Sequence, residues 1–116
     1  MPADILQINS DIGTFKVGFL LLDKFTLMPL SSATEPLRMA NHLTGKRLYD
    51  WHLIGERAEP VSTSGGIRLL PDTTIDEAPD FDLVIVVAGI NVKENTHPKT
   101  IKWLSSIARK TPLMGG

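Results

Sequence analysis

The chain has 116 residues, 42% of them hydrophobic, and its 12 basic and 13 acidic side chains give a net charge of −1. These values suit a single globular domain and exclude an intrinsically disordered chain. Without a cluster of basic residues the chain is a poor DNA binder by itself, and without cysteine it holds no disulfide, thiolate metal site or cysteine nucleophile.

Residues 1–14 are expected to form a polar, loosely ordered lead-in. They carry Asp4 and Asp11 but neither the basic nor the apolar region of a secretory signal. The longest uninterrupted apolar run, 83–88, is far too short to cross a membrane. We therefore expect a cytoplasmic protein without a membrane partner.

The first predicted element is a strand over 17–22, whose residues are apolar without interruption. Such runs indicate strands covered on both faces, as in parallel sheets with helices on either side. An amphipathic helix follows, because leucines and alanines recur at spacings of three and four over 30–43. Gly45 is predicted to end this helix.

Glu35 is the first candidate site residue. Ser32 and Glu35 have the spacing of a capping box, and Pro36 is tolerated only in the first turn, so the helix is predicted to begin at Ser32. In one interpretation the Glu35 carboxylate therefore only caps the helix. In the other it faces a pocket, because it follows the loop after the first strand and lies near the carboxyl edge of the sheet.

Three further elements are predicted before residue 89. Residues 51–55 favour a strand, and the glycine pair within 62–70 indicates a hairpin that ends at a turn over 71–74. Residues 83–88 are rich in β-branched side chains and predict a second strand that is buried on both faces.

Gly89, Ile90 and Asn91 form the turn that leaves this strand, and they are the second candidate site. A glycine here lets backbone amides face a ligand oxygen, as in an oxyanion hole. The alternative is that Gly89 only supplies an unusual backbone angle.

A second helix is predicted to begin at Pro98, and a third buried strand at Leu113 runs into Gly115 and Gly116. Ligands of open α/β sheets bind beyond the carboxyl ends of the strands, which makes Gly116 a third candidate. The alternation of strands and helices predicts an α/β fold, a three-layer sandwich with a mostly parallel sheet.

The residues predict neither a metal site nor a known catalytic motif. The histidines, His42, His52 and His97, are scattered, and no pair has the spacing of metal ligands. No serine lies in a G-x-S-x-G elbow, and neither G-x-G-x-x-G nor a P-loop is present. We therefore assign no catalytic residue, metal or cofactor.

Four stretches of the chain together resemble a known family: 18–26, 32–41, 48–52 and 64–72. They are similar to the N-terminal domain of a group of AraC-type transcription regulators, over residues 15–116. These regulators join a ThiJ/PfpI-like domain, related to class I glutamine amidotransferases, to a paired helix-turn-helix domain. The most specific stretch is Glu35-Pro36-Leu37-Arg38 with Ala40-Asn41.

The resemblance implies an intracellular sensor of a small nitrogen-containing metabolite, such as an amino acid or a quaternary ammonium compound. A flavodoxin-like fold would hold this effector at the strand ends, with Glu35, Gly89, Ile90, Asn91 and Gly116 as ligand-binding residues. The resemblance also implies a homodimer that binds operator DNA through a C-terminal domain absent from these residues.

Two departures from the enzymes of this class favour binding over catalysis. Their acidic residue in the turn after the first strand is missing from 25–30, and Ile90 stands where a second glycine often follows the central strand. The alternative is a fragment of a ThiJ/PfpI-type hydrolase or hydratase acting on a small amide-like substrate.

A stand-alone binding protein ranks third among these interpretations. A sheet that ended at Gly116 would expose an unfinished edge and leave one helix layer incomplete. We therefore expect 15–116 to be the N-terminal part of a sensing domain, incomplete at its C-terminus.

Overall fold

The computed structural model describes residues 13–89, 97–108 and 113–115. Strands and helices alternate along these residues, with one short hairpin after the second strand. The elements are β1 (Phe15–Leu21), α1 (Leu27–Thr44), β2 (Tyr49–Gly55), β3 (Val61–Ser62), β4 (Arg68–Leu69), β5 (Thr73–Thr74), β6 (Leu83–Val87), α2 (Pro98–Ile107) and β7 (Leu113–Gly115).

Five of the strands form one sheet in the order β5-β2-β1-β6-β7, and every neighbouring pair is parallel. β1 pairs with β6 through Val17 and Leu83, and β6 pairs with β7 through Leu83 and Leu113. The predicted α/β fold with a parallel sheet is therefore confirmed. The strand predicted at Leu113 is confirmed as β7, and Gly115 pairs with Ile85 of β6.

The central strand β1 packs against a different helix on each face. Phe19 and Leu21 cluster with Leu30 of α1, whereas Leu20 clusters with Ile107 of α2. Alternate residues of a strand point to opposite faces, so an apolar residue is needed at every position of a strand covered on both sides. Each such side chain contributes roughly 1.5–3 kcal/mol when it is fully buried. This burial explains the uninterrupted apolar run.

The first helix begins five residues earlier than predicted. It starts at Leu27 with Thr26 at the N-cap, and no side chain caps it. Ser32, Glu35 and Pro36 thus lie inside the helix, so the predicted capping box is wrong. The proline compatible with a first turn is Pro29, the third helical residue, and the helix continues through Pro36. Gly45, at a φ of 66°, ends the helix as predicted.

The segment 71–74, predicted as a turn, holds the short strand β5. Thr73 and Thr74 pair in parallel with the end of β2. Asp72 secures this edge, because its carboxylate accepts a hydrogen bond from the backbone N–H of Leu53 at 2.8 Å and its own N–H donates to the Leu53 carbonyl at 2.8 Å. Two residues are too few for an alternating pattern, so no sequence signal marks this strand.

The hairpin of β3 and β4 is confirmed as an antiparallel pair, with Gly66 at a φ of 89° in its turn. In the described parts of the chain, no helix has the length and apolar character that crossing a bilayer requires.

Candidate functional site

The carboxyl ends of β1, β2 and β6 meet at one edge of the sheet, because these strands are parallel neighbours. From β1 the chain passes to β2 on one side of β1, and it later returns to form β6 on the other side of β1. The strand order therefore changes direction between β1 and β6. Open α/β sheets bind ligands at this kind of switch point, outside the carboxyl ends of the strands.

Gly89 lies at the switch point, directly after β6. It forms an isolated bridge with Phe25, and a Cβ atom built on Gly89 would lie 2.2 Å from the Lys24 carbonyl oxygen. Its φ is not among the left-handed values found at Gly13, Gly45 and Gly66. Gly89 is therefore required by the close approach of two backbones and not by a left-handed angle.

The turn after β1 ties three loops together at this edge. Lys24, at a φ of 65°, donates its N–H to the Ser62 carbonyl at 2.9 Å, and Ser64 donates to the Phe25 carbonyl at 2.9 Å. Thr26 donates to the Ala88 carbonyl at 3.2 Å. The hairpin, the β1 turn and the Gly89 turn are thus one hydrogen-bonded unit.

Glu35 lies on the exposed face of α1, with 57% of its side chain accessible. Its carboxylate accepts a hydrogen bond from Nε of Arg38 at 2.6 Å, a pair three residues apart on one helix. Glu35 lines neither the concavity beside Asp23 and Glu56 nor the one between Phe81 and Trp103. Its assignment to the ligand pocket stays a prediction. Ile90, Asn91 and Gly116 lie outside the described residues.

A second group of polar side chains at the same edge was missed by the sequence analysis. Asp23 follows β1, Glu56 follows β2, and His97 precedes α2, and one ligand atom from each lies within 4.8 Å of the others. The turn after β1 contains an acid, Asp23, since β1 ends at Leu21 and α1 begins at Leu27. Asp23 precedes the stretch 25–30, which has no acidic residue.

Glu56 is the most buried member of this cluster, with only 11% of its side chain exposed. The hydroxyl of Thr100, itself 1% exposed, donates to Glu56 Oε2. Nε2 of His97 lies 3.9 Å from Glu56 Oε1, and the imidazole is 47% exposed. A buried carboxylate held by a buried hydroxyl thus faces a solvent-accessible histidine.

Asp23 and Glu56 also line a shallow, open concavity beside the ends of β1 and β2. Arg57 is the basic residue of its lining, 3.8 Å from Asp23 and 3.5 Å from Glu59. The apolar lining is Leu21, Pro60 and Val61. Three carboxylates and one guanidinium leave this concavity acidic.

The nearness of Asp23 and Glu56 follows from the parallel pairing of β1 and β2, since each residue comes just after its strand. The signal was available in the sequence, as the first polar side chains after two predicted strands. His97 carried no such signal. Its position depends on how α2 packs over the sheet.

No protein-family model matches the chain. It is 42% identical over 99 residues to the HTH-type transcriptional regulator GbdR of Pseudomonas aeruginosa, covering 85% of this chain and 27% of that protein. The regulator CdhR of the same species is 36% identical over 98 residues, and GlxA of Rhizobium meliloti is 38% identical over 74. The chain spans 23–29% of the length of these relatives.

Solved structures share the fold at low sequence identity. An AraC family transcriptional regulator from Pseudomonas putida gives a TM-score of 0.75 at 21% identity, covering 87% of this chain and 55% of that one. A ThiJ/PfpI family protein from Pseudomonas syringae gives 0.70 at 15% identity, covering 88% and 41%. The predicted resemblance to AraC-type regulators with a ThiJ/PfpI-like fold is therefore confirmed.

Proposed function

We propose that this chain is the effector-sensing portion of an AraC-type transcription regulator that responds to a small nitrogen-containing metabolite, an amino acid or a quaternary ammonium compound. The observation that carries the proposal is the homology over 84–85% of the chain to two proteins named as HTH-type transcriptional regulators. Residues 15–116 form part of the sensing domain. Operator DNA is bound by a domain outside these residues, in a cytoplasmic homodimer.

The effector binds at the switch point between β1 and β6. Gly89 lies there in the structure, and Ile90, Asn91, Glu35 and Gly116 complete the proposed ligand-binding set. The general preference of open α/β sheets for ligands at this position supports the assignment.

The charges along the carboxyl edge favour a cationic nitrogen. The turns after β1 and β2 carry Asp23, Glu56 and Glu59, against the two basic residues Lys24 and Arg57. The excess of acid gives this edge a negative potential, which raises the local concentration of cations. An ammonium group is therefore preferred over a neutral group of the same shape.

The hydrogen bonds of this edge provide a route from the effector to the rest of the molecule. The β1 turn is bonded to the hairpin through Ser62 and Ser64 and to the Gly89 turn through Ala88. An effector that binds one arrangement of these loops more tightly than another shifts the population toward it, by about 1.4 kcal/mol for a tenfold difference in affinity. This shift would alter the dimer and with it the regulator's affinity for DNA.

The second candidate function is that of a ThiJ/PfpI-type hydrolase or hydratase on a small amide-like substrate. It is favoured by the fold that the chain shares with a ThiJ/PfpI family protein and with a DJ-1 superfamily protein from Agrobacterium tumefaciens, and by Asp23 in the first turn. The regulator is preferred because the curated relatives are named as transcription regulators.

The test is a calorimetric titration of the chain with amino acids and betaines, each beside an isostere in which carbon replaces the charged nitrogen. Glycine betaine is matched by 3,3-dimethylbutanoate. The proposal expects saturable binding of a nitrogen compound and at least about tenfold weaker binding of its isostere. Equal binding of the two, or turnover of small amides, would contradict it.

The role of Glu35 is tested in the same titration. Glu35→Gln removes the carboxylate, whereas the control Arg38→Gln breaks the same ion pair and leaves the carboxylate in place. If Glu35 binds the effector, only the first change weakens binding. Equal effects of both changes would restrict Glu35 to its helix-surface ion pair.

A further inference from the structure

We infer that Asp23, Glu56 and His97 form a binding site for a divalent transition-metal ion of the zinc type. The three residues come from three separate loops, after β1, after β2 and before α2. One ligand atom from each lies within 4.8 Å of the other two. The inference rests on this geometry and not on the identity of the effector.

The distance between two of the ligand atoms is close to what the ion requires. Zinc bonds of about 2.0–2.2 Å to nitrogen and oxygen place tetrahedral ligand atoms roughly 3.4 Å apart. Nε2 of His97 and Oε1 of Glu56 are 3.9 Å apart, so a shift of about half an ångström brings them to that distance. The imidazole of His97 is 47% exposed, so the side chain can make this shift while its backbone stays at the start of α2.

The donor set selects among cations. One imidazole and two carboxylates suit Zn²⁺ and the other late first-row transition-metal ions. Mg²⁺ prefers oxygen ligands and retains several of its bound water molecules. Three protein ligands leave a fourth tetrahedral position for water or for a donor atom of another molecule. The open concavity beside Asp23 and Glu56 gives access to that position.

Two features hold the proposed ligands in place. The Thr100 hydroxyl donates to Glu56 Oε2, which leaves Oε1 facing the histidine. The His97 carbonyl accepts hydrogen bonds from the N–H groups of Thr100 at 3.0 Å and Ile101 at 3.2 Å, which fixes the histidine at the start of α2. Outer hydrogen bonds of this kind orient metal ligands and strengthen binding. Thr100 is therefore a positioning residue.

Arg57 partly neutralises the charge of the carboxylates and competes with the metal ion for Asp23. Its guanidinium lies 3.8 Å from Asp23 and also 3.5 Å from Glu59, and it is 61% exposed. Because Glu59 offers it a second partner, Arg57 can release Asp23 without losing its ion pair. Removing this competing cation is expected to tighten metal binding.

A purely structural role for these contacts is the competing explanation. Glu56 beside the first turn of α2 complements the helix dipole, and His97 then contributes only a weak ion pair. This explanation predicts that Glu56→Gln lowers the stability of the chain while the wild-type chain binds no Zn²⁺.

The experiment is a calorimetric titration of the chain with ZnCl₂, with MgCl₂ as the comparison ion. We expect one Zn²⁺ per chain and no comparable binding of Mg²⁺. Glu56→Gln and His97→Gln should each weaken Zn²⁺ binding by at least about tenfold, and Arg57→Gln should tighten it. Gln keeps an acceptor for Thr100, and His97 is exposed, so circular dichroism should remain that of the folded chain.

The matched controls are Glu77→Gln and His42→Gln. Glu77 is an exposed carboxylate outside the cluster, and His42 is an exposed histidine of α1. Both should leave the affinity for Zn²⁺ unchanged within about twofold, as expected of independent sites. Absence of saturable Zn²⁺ binding, or equal losses in the controls and the cluster variants, would overturn the inference.

Discussion

Glycine is required at position 89 because the backbone of another segment packs directly against it. Its missing side chain lets the Lys24 carbonyl approach to a point 2.2 Å from where a Cβ would stand. The neighbouring atom is backbone, so it cannot move away as a flexible side chain would. The sequence indicated a special glycine at this turn, but the contact that requires it involves a residue 65 positions earlier.

Gly89→Ala is therefore expected to destabilise the chain by about 1–3 kcal/mol or more, as overpacking does. Gly65→Ala is the matched control, since a Cβ there would have no atom nearer than 3.9 Å and its φ is not left-handed. Urea unfolding measures both changes. A loss of stability for Gly65→Ala as large as for Gly89→Ala would contradict this explanation.

Asn41, in the segment that carries the family resemblance, closes the loop between α1 and β2. Its side-chain nitrogen donates to the Tyr49 carbonyl at 2.8 Å, and its oxygen accepts from the N–H groups of Leu48 at 2.9 Å and Tyr49 at 3.0 Å. Asn41→Ala should lower the free energy of unfolding by about 1–3 kcal/mol, because it leaves half-buried backbone groups without a hydrogen-bond partner.

The comparison for Asn41→Ala is Arg38→Gln, which breaks only an exposed ion pair and should cost about 0–1 kcal/mol. Both are measured by chemical denaturation. Equal stabilities of the two variants would show that the loop does not depend on Asn41.

For single residues, the sequence located turn glycines correctly but assigned the wrong role to a pair of polar side chains. Gly45 and Gly66 were identified because left-handed turns have a residue signature. The Ser32 and Glu35 pair was misread because its spacing also occurs by chance within a helix. Predicting that Asp23, Glu56 and His97 lie close together would have required the order of the strands in the sheet.

The helix α1 is an element with an internal proline. Pro36, the tenth of its 18 residues, has no N–H, so the Ser32 carbonyl lacks its helical hydrogen bond. Pro36→Ala should restore that bond and raise the free energy of unfolding by about 1 kcal/mol, the net contribution of one hydrogen bond. Pro29→Ala is the control, because a residue in the first turn has no helical acceptor to satisfy.

Thermal unfolding of these two variants checks the prediction. An increase in stability confined to Pro36→Ala supports an internal helix defect. A decrease for Pro36→Ala would mean that the proline stabilises the chain through contacts on α1 or by restricting the unfolded state.

The long elements could be predicted and the short ones could not. Continuous apolar runs marked β1 and β6, and apolar spacing marked α1, because burial imposes these patterns. The two-residue strand β5 has no pattern of its own and forms only because β2 offers it a free edge. The start of α1 was predicted at Ser32 from its capping-box spacing with Glu35, whereas the helix begins at Leu27 after Thr26, which makes no side-chain capping hydrogen bond.

For the whole molecule, the parallel sheet decides where chemistry is possible. The parallel pairing of β1 with β2 and β6 collects their following turns at one edge, where the Gly89 turn and the acidic concavity lie side by side along the sheet. The sequence predicted this edge as the site. The proposed ligand-binding residues Ile90, Asn91 and Gly116 belong to that prediction and await a binding measurement.

The most direct test of the sensing role is an amide NMR titration of the chain with glycine betaine and amino acids, beside 3,3-dimethylbutanoate. The proposal predicts saturable shifts at Lys24, Ser64 and Gly89, the hydrogen-bonded loops of the carboxyl edge, and little change at Phe15 and Asp82 on the opposite edge. Shifts centred on that opposite edge, equal responses to the carbon isostere, or no response to any nitrogen compound would contradict it.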